Sequence, residues 1–116
     1  MVERELKVTV ELGSPGGTPL VRVSGEVDIQ TSPDLQERLQ TLLDAGSSSL
    51  VVDLGGVTFL DSTGLSVLIA GLKRCQSVGG ELRLVSLQPS VKRVLEITGL
   101  TEAFGLDGEG GTPAGD

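Results

Sequence analysis

Leu6, Val8, Val10 and Leu12 alternate with Lys7, Thr9 and Glu11. Period-two alternation of this kind predicts a half-buried strand. The turn-rich run 13–19 (GSPGGTP) reads as a loop. Residues 20–24 then predict a second strand, paired antiparallel to the first. Gly25-Glu26-Val27-Asp28 follows it. Thr31 or Ser32 can cap a helix with Pro33 at its first position, a favoured start. Leu35, Leu39, Leu42 and Leu43 recur at helical spacing until Ala45-Gly46. The short apolar run 50–54 (LVVDL) suits a central strand covered on both faces. After 55–60 (GGVTFL), a second helix opens at Asp61-Ser62-Thr63-Gly64, with Leu65, Leu68, Ile69 and Leu72 on one face. Gly79-Gly80 ends that unit. Leu82, Leu84 and Val85 make another strand, and Pro89 opens a third helix with Val91, Val94 and Leu95 inward. Gly99 stands where a C-terminal cap glycine belongs, and Leu100, Ala103 and Phe104 dock a last short element.

The order is strand, strand, helix, strand, helix, strand, helix. Successive strand–helix–strand units favour parallel pairing with right-handed crossovers, and the first hairpin makes the sheet mixed. The class is α/β. Residues 1–106 form one domain, and the Gly-rich run 107–116, which lacks large apolar residues, reads as a flexible tail.

Composition narrows the chemistry. The 116 residues carry 9 Lys+Arg against 16 Asp+Glu, a formal charge of −7. That argues against nucleic acid and against an anionic membrane surface, since both need a basic face. There is no histidine, so His-based metal sites and Ser-His-Asp or Cys-His catalysis are removed. With two Phe and no Trp or Tyr, there is no aromatic platform for bases. Cys75 is the single cysteine and cannot form an internal disulfide, which fits a reducing compartment. It reads as a small helix residue, not a reactive thiol. The start, MVERELKVTV, alternates and shows no signal-peptide pattern. The apolar stretch 65–72 is broken by Ser66 and too short to span a bilayer. A cytoplasmic location is expected.

Asp61-Ser62-Thr63-Gly64 is the most informative stretch. Its structural reading is capping, because Asp, Ser and Thr all accept hydrogen bonds at a helix start. Its functional reading is phosphorylation of an exposed hydroxyl at a helix N-terminus. A phosphate would add about −1.5 to −2 charge beside Asp61, and beside Asp28 if the two loops follow neighbouring strands. Asp28 itself reads either as a turn-capping carboxylate or as one that positions the serine or a partner's basic group. Lys92 and Arg93 read as a solvated face. Gly55-Gly56 is no phosphate-binding loop, and Ser66 lacks the G-x-S-x-G context. No EF-hand spacing exists.

The combination of Gly25-Glu26-Val27-Asp28, Val51-Val52-Asp53-Leu54, Val57-Thr58-Phe59-Leu60-Asp61-Ser62-Thr63-Gly64-Leu65, Gly79-Gly80-Glu81-Leu82 and Val94-Leu95-Glu96-Ile97-Thr98-Gly99-Leu100 resembles the STAS domain family, specifically the bacterial anti-sigma factor antagonists. The resemblance covers roughly residues 5 to 106. It implies a mixed sheet of four to five strands packed with about four helices. It implies a regulator and not an enzyme, needing no cofactor or metal. The unmodified form would bind an anti-sigma factor, a serine kinase with a histidine-kinase-like ATP site, and so free the sigma factor. Phosphorylation would weaken that complex, and a PP2C-type phosphatase would reverse it. By position the phosphoacceptor is Ser62. Asp28, Asp61, Thr63, Gly64 and Ser66 fall at the partner-recognition positions, with Thr63 a secondary acceptor or a cap. Where members often have Gly-Leu-Gly, this chain has Gly64-Leu65-Ser66, which adds a third hydroxyl near the site, in the first turn of the helix.

Two other readings stay open on the sequence. One is a constitutive STAS subunit of a transport or signalling assembly. The other is a sensor that binds an anion or nucleotide at the helix headed by Ser62. The flanking carboxylates oppose the latter. Oligomeric state is left open.

Overall fold

The alternating segments form strands, and a computed structural model describes residues 5–12 and 17–105. Strand β1 spans Lys7–Glu11 and β2 spans Leu20–Val27. They pair antiparallel, with Val8 opposite Val23 and Val10 opposite Val21. Strand β3 (Leu50–Leu60) lies parallel to β2, and β4 (Leu82–Val85) parallel to β3. The sheet order is β1-β2-β3-β4. Helices α1 (Ser32–Asp44), α2 (Ser62–Ser77) and α3 (Pro89–Thr98) follow β2, β3 and β4 in turn.

The mixed α/β architecture agrees with the expectation, with four strands and three helices among the described residues. The last expected element is a series of turns, 101–105, instead of a fourth helix. Phe104 is nevertheless fully buried, and its carbonyl accepts the Leu84 N–H at 3.3 Å, docking the segment against β4. Gly99 has the left-handed φ of 75° that a C-terminal cap glycine supplies. The segment expected as a flexible tail, 107–116, lies outside the described residues, as does 13–16 of the first loop.

One face of the sheet makes the core. Val10, Val21, Val52 and Leu84 form a row across all four strands. Leu35, Leu39 and Leu43 of α1 join it, as do Leu65, Leu68, Leu72 and Cys75 of α2 and Val91 and Leu95 of α3. Each fully buried Leu or Val contributes roughly 1.5–3 kcal/mol of transfer free energy. Burial also pushes the Cys75 thiol up, away from thiolate chemistry. The opposite row is Thr9, Arg22, Asp53 and Val85. There Arg22 Nε lies 3.5 Å from Glu11 and 4.0 Å from Asp53. These pairs are partly exposed, so they add little stability. The 50–54 run is therefore not covered on both faces: Leu50, Val52 and Leu54 are buried, while Val51 and Asp53 are half-buried. The apolar side chains at 50, 52 and 54 face the core, and Val51 is partly covered on the other face.

Both central strands outrun their predicted ends. β2 continues through Gly25 to Val27, and β3 continues through Gly55-Gly56 to Leu60. The register shifts between Arg22 and Ser24 and again between Gly25 and Glu26, so β3 carries extra residues opposite β2. Such bulges bend a strand and often lie beside functional sites. Because β2, β3 and β4 run parallel, the loops entering all three helices emerge at the same, carboxyl end of the sheet. That end is where sites in open α/β sheets are found.

Candidate functional site

The last paired residues of β2 and β3 are Val27 and Leu60. The next residues are Asp28 and Asp61, so the parallel pairing delivers both carboxylates to one end. The Asp61 N–H donates to the Val27 carbonyl at 3.1 Å and ties the two exits together.

Asp61 is the N-cap of α2, in extended conformation. Its Oδ1 accepts the Thr63 N–H at 2.9 Å and the Gly64 N–H at 3.0 Å. Its carbonyl accepts the Leu65 N–H at 2.9 Å. The Thr63 hydroxyl donates to the same Oδ1 at 2.6 Å. That hydroxyl is the largest cause holding the Asp61 carboxyl below its ordinary value, followed by the Gly64 N–H. The backbone N–H groups of Thr63 and Ile29 add to this, and desolvation works against it. A depressed folded-state pKa contributes stability above the unfolded value, which is lost as pH falls through the folded value. Asp61→Ala is therefore expected to cost about 1 kcal/mol near neutral pH, the usual worth of an N-cap. The difference from the parent should shrink in urea titrations at pH values below the ordinary carboxylate range. A pH-independent difference would count against the charge-assisted cap.

With Asp61 as cap, the three neighbouring hydroxyls are sorted. Thr63 is half-buried and bonded to Asp61. Ser66 is exposed, but its hydroxyl donates to the Ser62 carbonyl at 2.9 Å. Ser62, at the first helical position, is exposed, and its hydroxyl makes no hydrogen bond among the described residues. Asp61 thus does the capping, and the hydroxyl of the adjacent Ser62 is left unengaged.

Asp28 is built differently. It is 5% exposed. Its Oδ1 accepts the Gln30 N–H at 3.0 Å and the Thr31 N–H at 3.1 Å, with the Thr31 hydroxyl at 3.3 Å. The Thr31 hydroxyl donates to the Glu26 carbonyl at 2.6 Å and accepts the Asp28 N–H at 3.0 Å. Thr31 is the N-cap of α1 by position, yet its side chain faces back into this turn and caps nothing. Asp28 therefore closes an Asx-type turn over residues 28–31.

Gly64 completes the site and is buried. A Cβ there would lie 2.6 Å from Val27 Cγ1 and 2.7 Å from Leu60 Cδ1. Only glycine lets the first turn of α2 press against the strand ends. Two residues at this end escaped the sequence reading. Ile29 is 74% exposed and Phe59 is 48% exposed. The signal available was an aliphatic residue inside an Asx turn and an aromatic residue beside a strand end. Lys92 and Arg93 are exposed, as expected of a solvated face. Among the described residues no cluster of His, Cys, Asp or Glu could hold a metal, and no helix is long and apolar enough to cross a membrane.

The helix head is a poor anion cradle in its own right. The Asp61 carboxylate already takes the free N–H groups of Thr63 and Gly64, which an anion would otherwise use. It suits a covalently attached group better than a diffusible one.

Three comparisons bear on this geometry. The STAS domain family model matches residues 9–109. The anti-sigma-B factor antagonist of Bacillus subtilis (strain 168) is 36% identical over 93 residues, covering 78% of this chain and 84% of that protein. The crystal structure of an anti-sigma factor antagonist from Mycobacterium paratuberculosis superposes with a TM-score of 0.75 at 32% identity, covering 86% of this chain and 83% of that one. The antagonist SpoIIAA in its unphosphorylated form has the same fold, with a TM-score of 0.74 at 19% identity and 84% of each chain covered.

Proposed function

The chain belongs to the STAS domain family, and we propose that it works as an anti-sigma factor antagonist switched by phosphorylation of Ser62. The unphosphorylated form binds an anti-sigma factor that is itself a serine kinase, and that binding releases the sigma factor. The chain is a substrate and binding partner here, not a catalyst, and acts in the bacterial cytoplasm. The observation that carries this reading is the unengaged, exposed Ser62 hydroxyl between a capped Asp61 and a bonded Thr63.

In the transfer step the Ser62 Oγ forms a bond to the γ-phosphorus of ATP. The bond from that phosphorus to ADP breaks, and the hydroxyl proton passes to a base of the kinase. The product carries about −1.5 to −2 charge next to the Asp61 carboxylate. Asp61 has already consumed the helix N–H groups that would otherwise stabilise that charge. The phosphate is thus left to act outward, on the partner. A surface that was neutral at Ser62 becomes repulsive and costly to desolvate, with no need to refold the domain. A PP2C-type phosphatase would restore the hydroxyl by hydrolysis.

Phosphosite mass spectrometry on the protein from its native host, across growth conditions, tests the reading. A single phosphate on Ser62 with condition-dependent occupancy is expected, and its absence from Ser62→Ala. A phosphate on Thr63 or Ser66 would keep a switch but move its site. No phosphate under any condition would favour a constitutive STAS subunit of a larger assembly.

A further inference from the structure

We infer that Ile29 and Phe59 are the apolar anchors by which the kinase docks on this end of the sheet, with the Asp28 turn holding Ile29 in place. The inference rests on the proposed switch at Ser62 and adds the contacts that the switch controls. Ile29 lies at the tip of the turn that Asp28 and Thr31 close. The turn leaves its side chain 74% exposed. Phe59 is two residues before Asp61 and is paired in register with Glu26 at the exit of β2. The two residues therefore bracket the strand ends from which Ser62 emerges. An aliphatic and an aromatic side chain flanking the same strand ends are the kinds of residue that interface centres bury.

The charge around them selects the partner. Segments 25–37 and 54–72, which carry the ends of β2 and β3 into α1 and α2, contain no Lys or Arg, and the basic residues of this end, Lys92 and Arg93, stand in the first half of α3 after the edge strand β4. The two segments contribute the exposed Asp34 and the ionised Asp61. The matching surface is an apolar socket rimmed by Lys or Arg beside the kinase's nucleotide cleft. Phosphorylation at Ser62 then acts on the same surface, since a phosphate cannot be buried beside an apolar anchor without a large desolvation cost. Asp28 is a positioning residue in this scheme. It is buried and meets the partner only through the turn it closes.

The test uses the purified host anti-sigma kinase that transfers phosphate from radiolabelled ATP to the full chain but not to its Ser62→Ala variant. Binding is measured by calorimetry for Ile29→Ala, Phe59→Ala and the control Ile97→Ala, whose parent residue is equally exposed, at 74%, on α3. Ile29→Ala and Phe59→Ala are each expected to weaken binding about tenfold or more, as interface anchors do. Ile97→Ala should leave it unchanged, and all three should melt like the parent. Asp28→Ala should lose as much binding as Ile29→Ala, and Asp28→Asn, which still closes an Asx turn, should recover it. Parent-like binding by Ile29→Ala and Phe59→Ala would overturn the inference while leaving the switch standing. Failure of Asp28→Asn to rescue would show that the carboxylate charge is read directly. If no host kinase modifies Ser62, the functional reading falls and this inference falls with it.

Discussion

Ser62→Asp is expected to bind the anti-sigma kinase about 100-fold more weakly than Ser62→Ala. The magnitude follows from where the charge is placed. Removing the hydroxyl costs the free chain almost nothing, because the Ser62 side chain neither caps α2 nor makes a hydrogen bond among the described residues. Adding a carboxylate puts a second negative charge one residue from Asp61, whose own ionised form is held by Thr63 and Gly64. Like charges and uncompensated charge at a docked surface cost several kcal/mol. About 3 kcal/mol corresponds to two decades in Kd. Asp carries less charge than phosphoserine, so the phosphorylated protein should bind more weakly still. Thr63→Ala and Ser66→Ala are the internal controls: neither removes the acceptor, so both remain phosphorylated at Ser62. Calorimetry on the variants would decide the matter, and equal affinities for Ser62→Ala and Ser62→Asp would defeat the mechanism.

Much of this site is legible in the residues themselves, and what is not has definite physical causes. The alternation at Leu6–Leu12 and the helical spacing of Leu35, Leu39 and Leu43 depend only on which side faces the core, so pattern alone reveals them. The closeness of Asp28 and Asp61 is legible only conditionally. It follows once β2 and β3 are known to be parallel neighbours, which Val27 opposite Leu60 establishes. The division of labour among Asp61, Ser62 and Thr63 is hidden, since all three residue types can cap a helix. What decides it is the backbone: Asp61 is extended and Ser62 is already helical. The continuation of β3 through Gly55-Gly56 is hidden as well, because glycine is a poor strand residue taken alone. There β2 provides the pairing, and the bulged register absorbs the extra residues. The exposure of Ile29 is a property of the Asx turn, which exists only when Asp28 and Thr31 meet.

Gly64→Ala should show how tightly the switch is coupled to the fold. An alanine in a helix ordinarily gains about 1 kcal/mol over glycine. At position 64 the new Cβ would lie 2.6 Å from Val27 Cγ1, 2.7 Å from Leu60 Cδ1 and 3.2 Å from Val27 Cβ. Val27 is fully buried and paired with Leu60, so neither can step aside without moving a strand end. Overpacking of this kind costs typically 1–3 kcal/mol, enough to reverse the sign of the helix-propensity gain. A net loss of about 1 kcal/mol would lower Tm by roughly 4–8 °C in a domain of this size. Gly64→Val should be worse, because a branched side chain adds volume at the same contact. The strain has a functional consequence, since the strand ends that would give way carry Asp28 and Asp61. Phosphate transfer to Ser62 should therefore slow in Gly64→Ala even at temperatures where the variant remains folded. Combining Gly64→Ala with Val27→Ala removes the closest contact, and the double variant should be more stable than the sum of the single losses predicts. Parent-like or higher stability of Gly64→Ala in thermal melts would mean that α2 can back away from the sheet freely. The close seating of Ser62 over the strand ends would then not be what holds the acceptor in place.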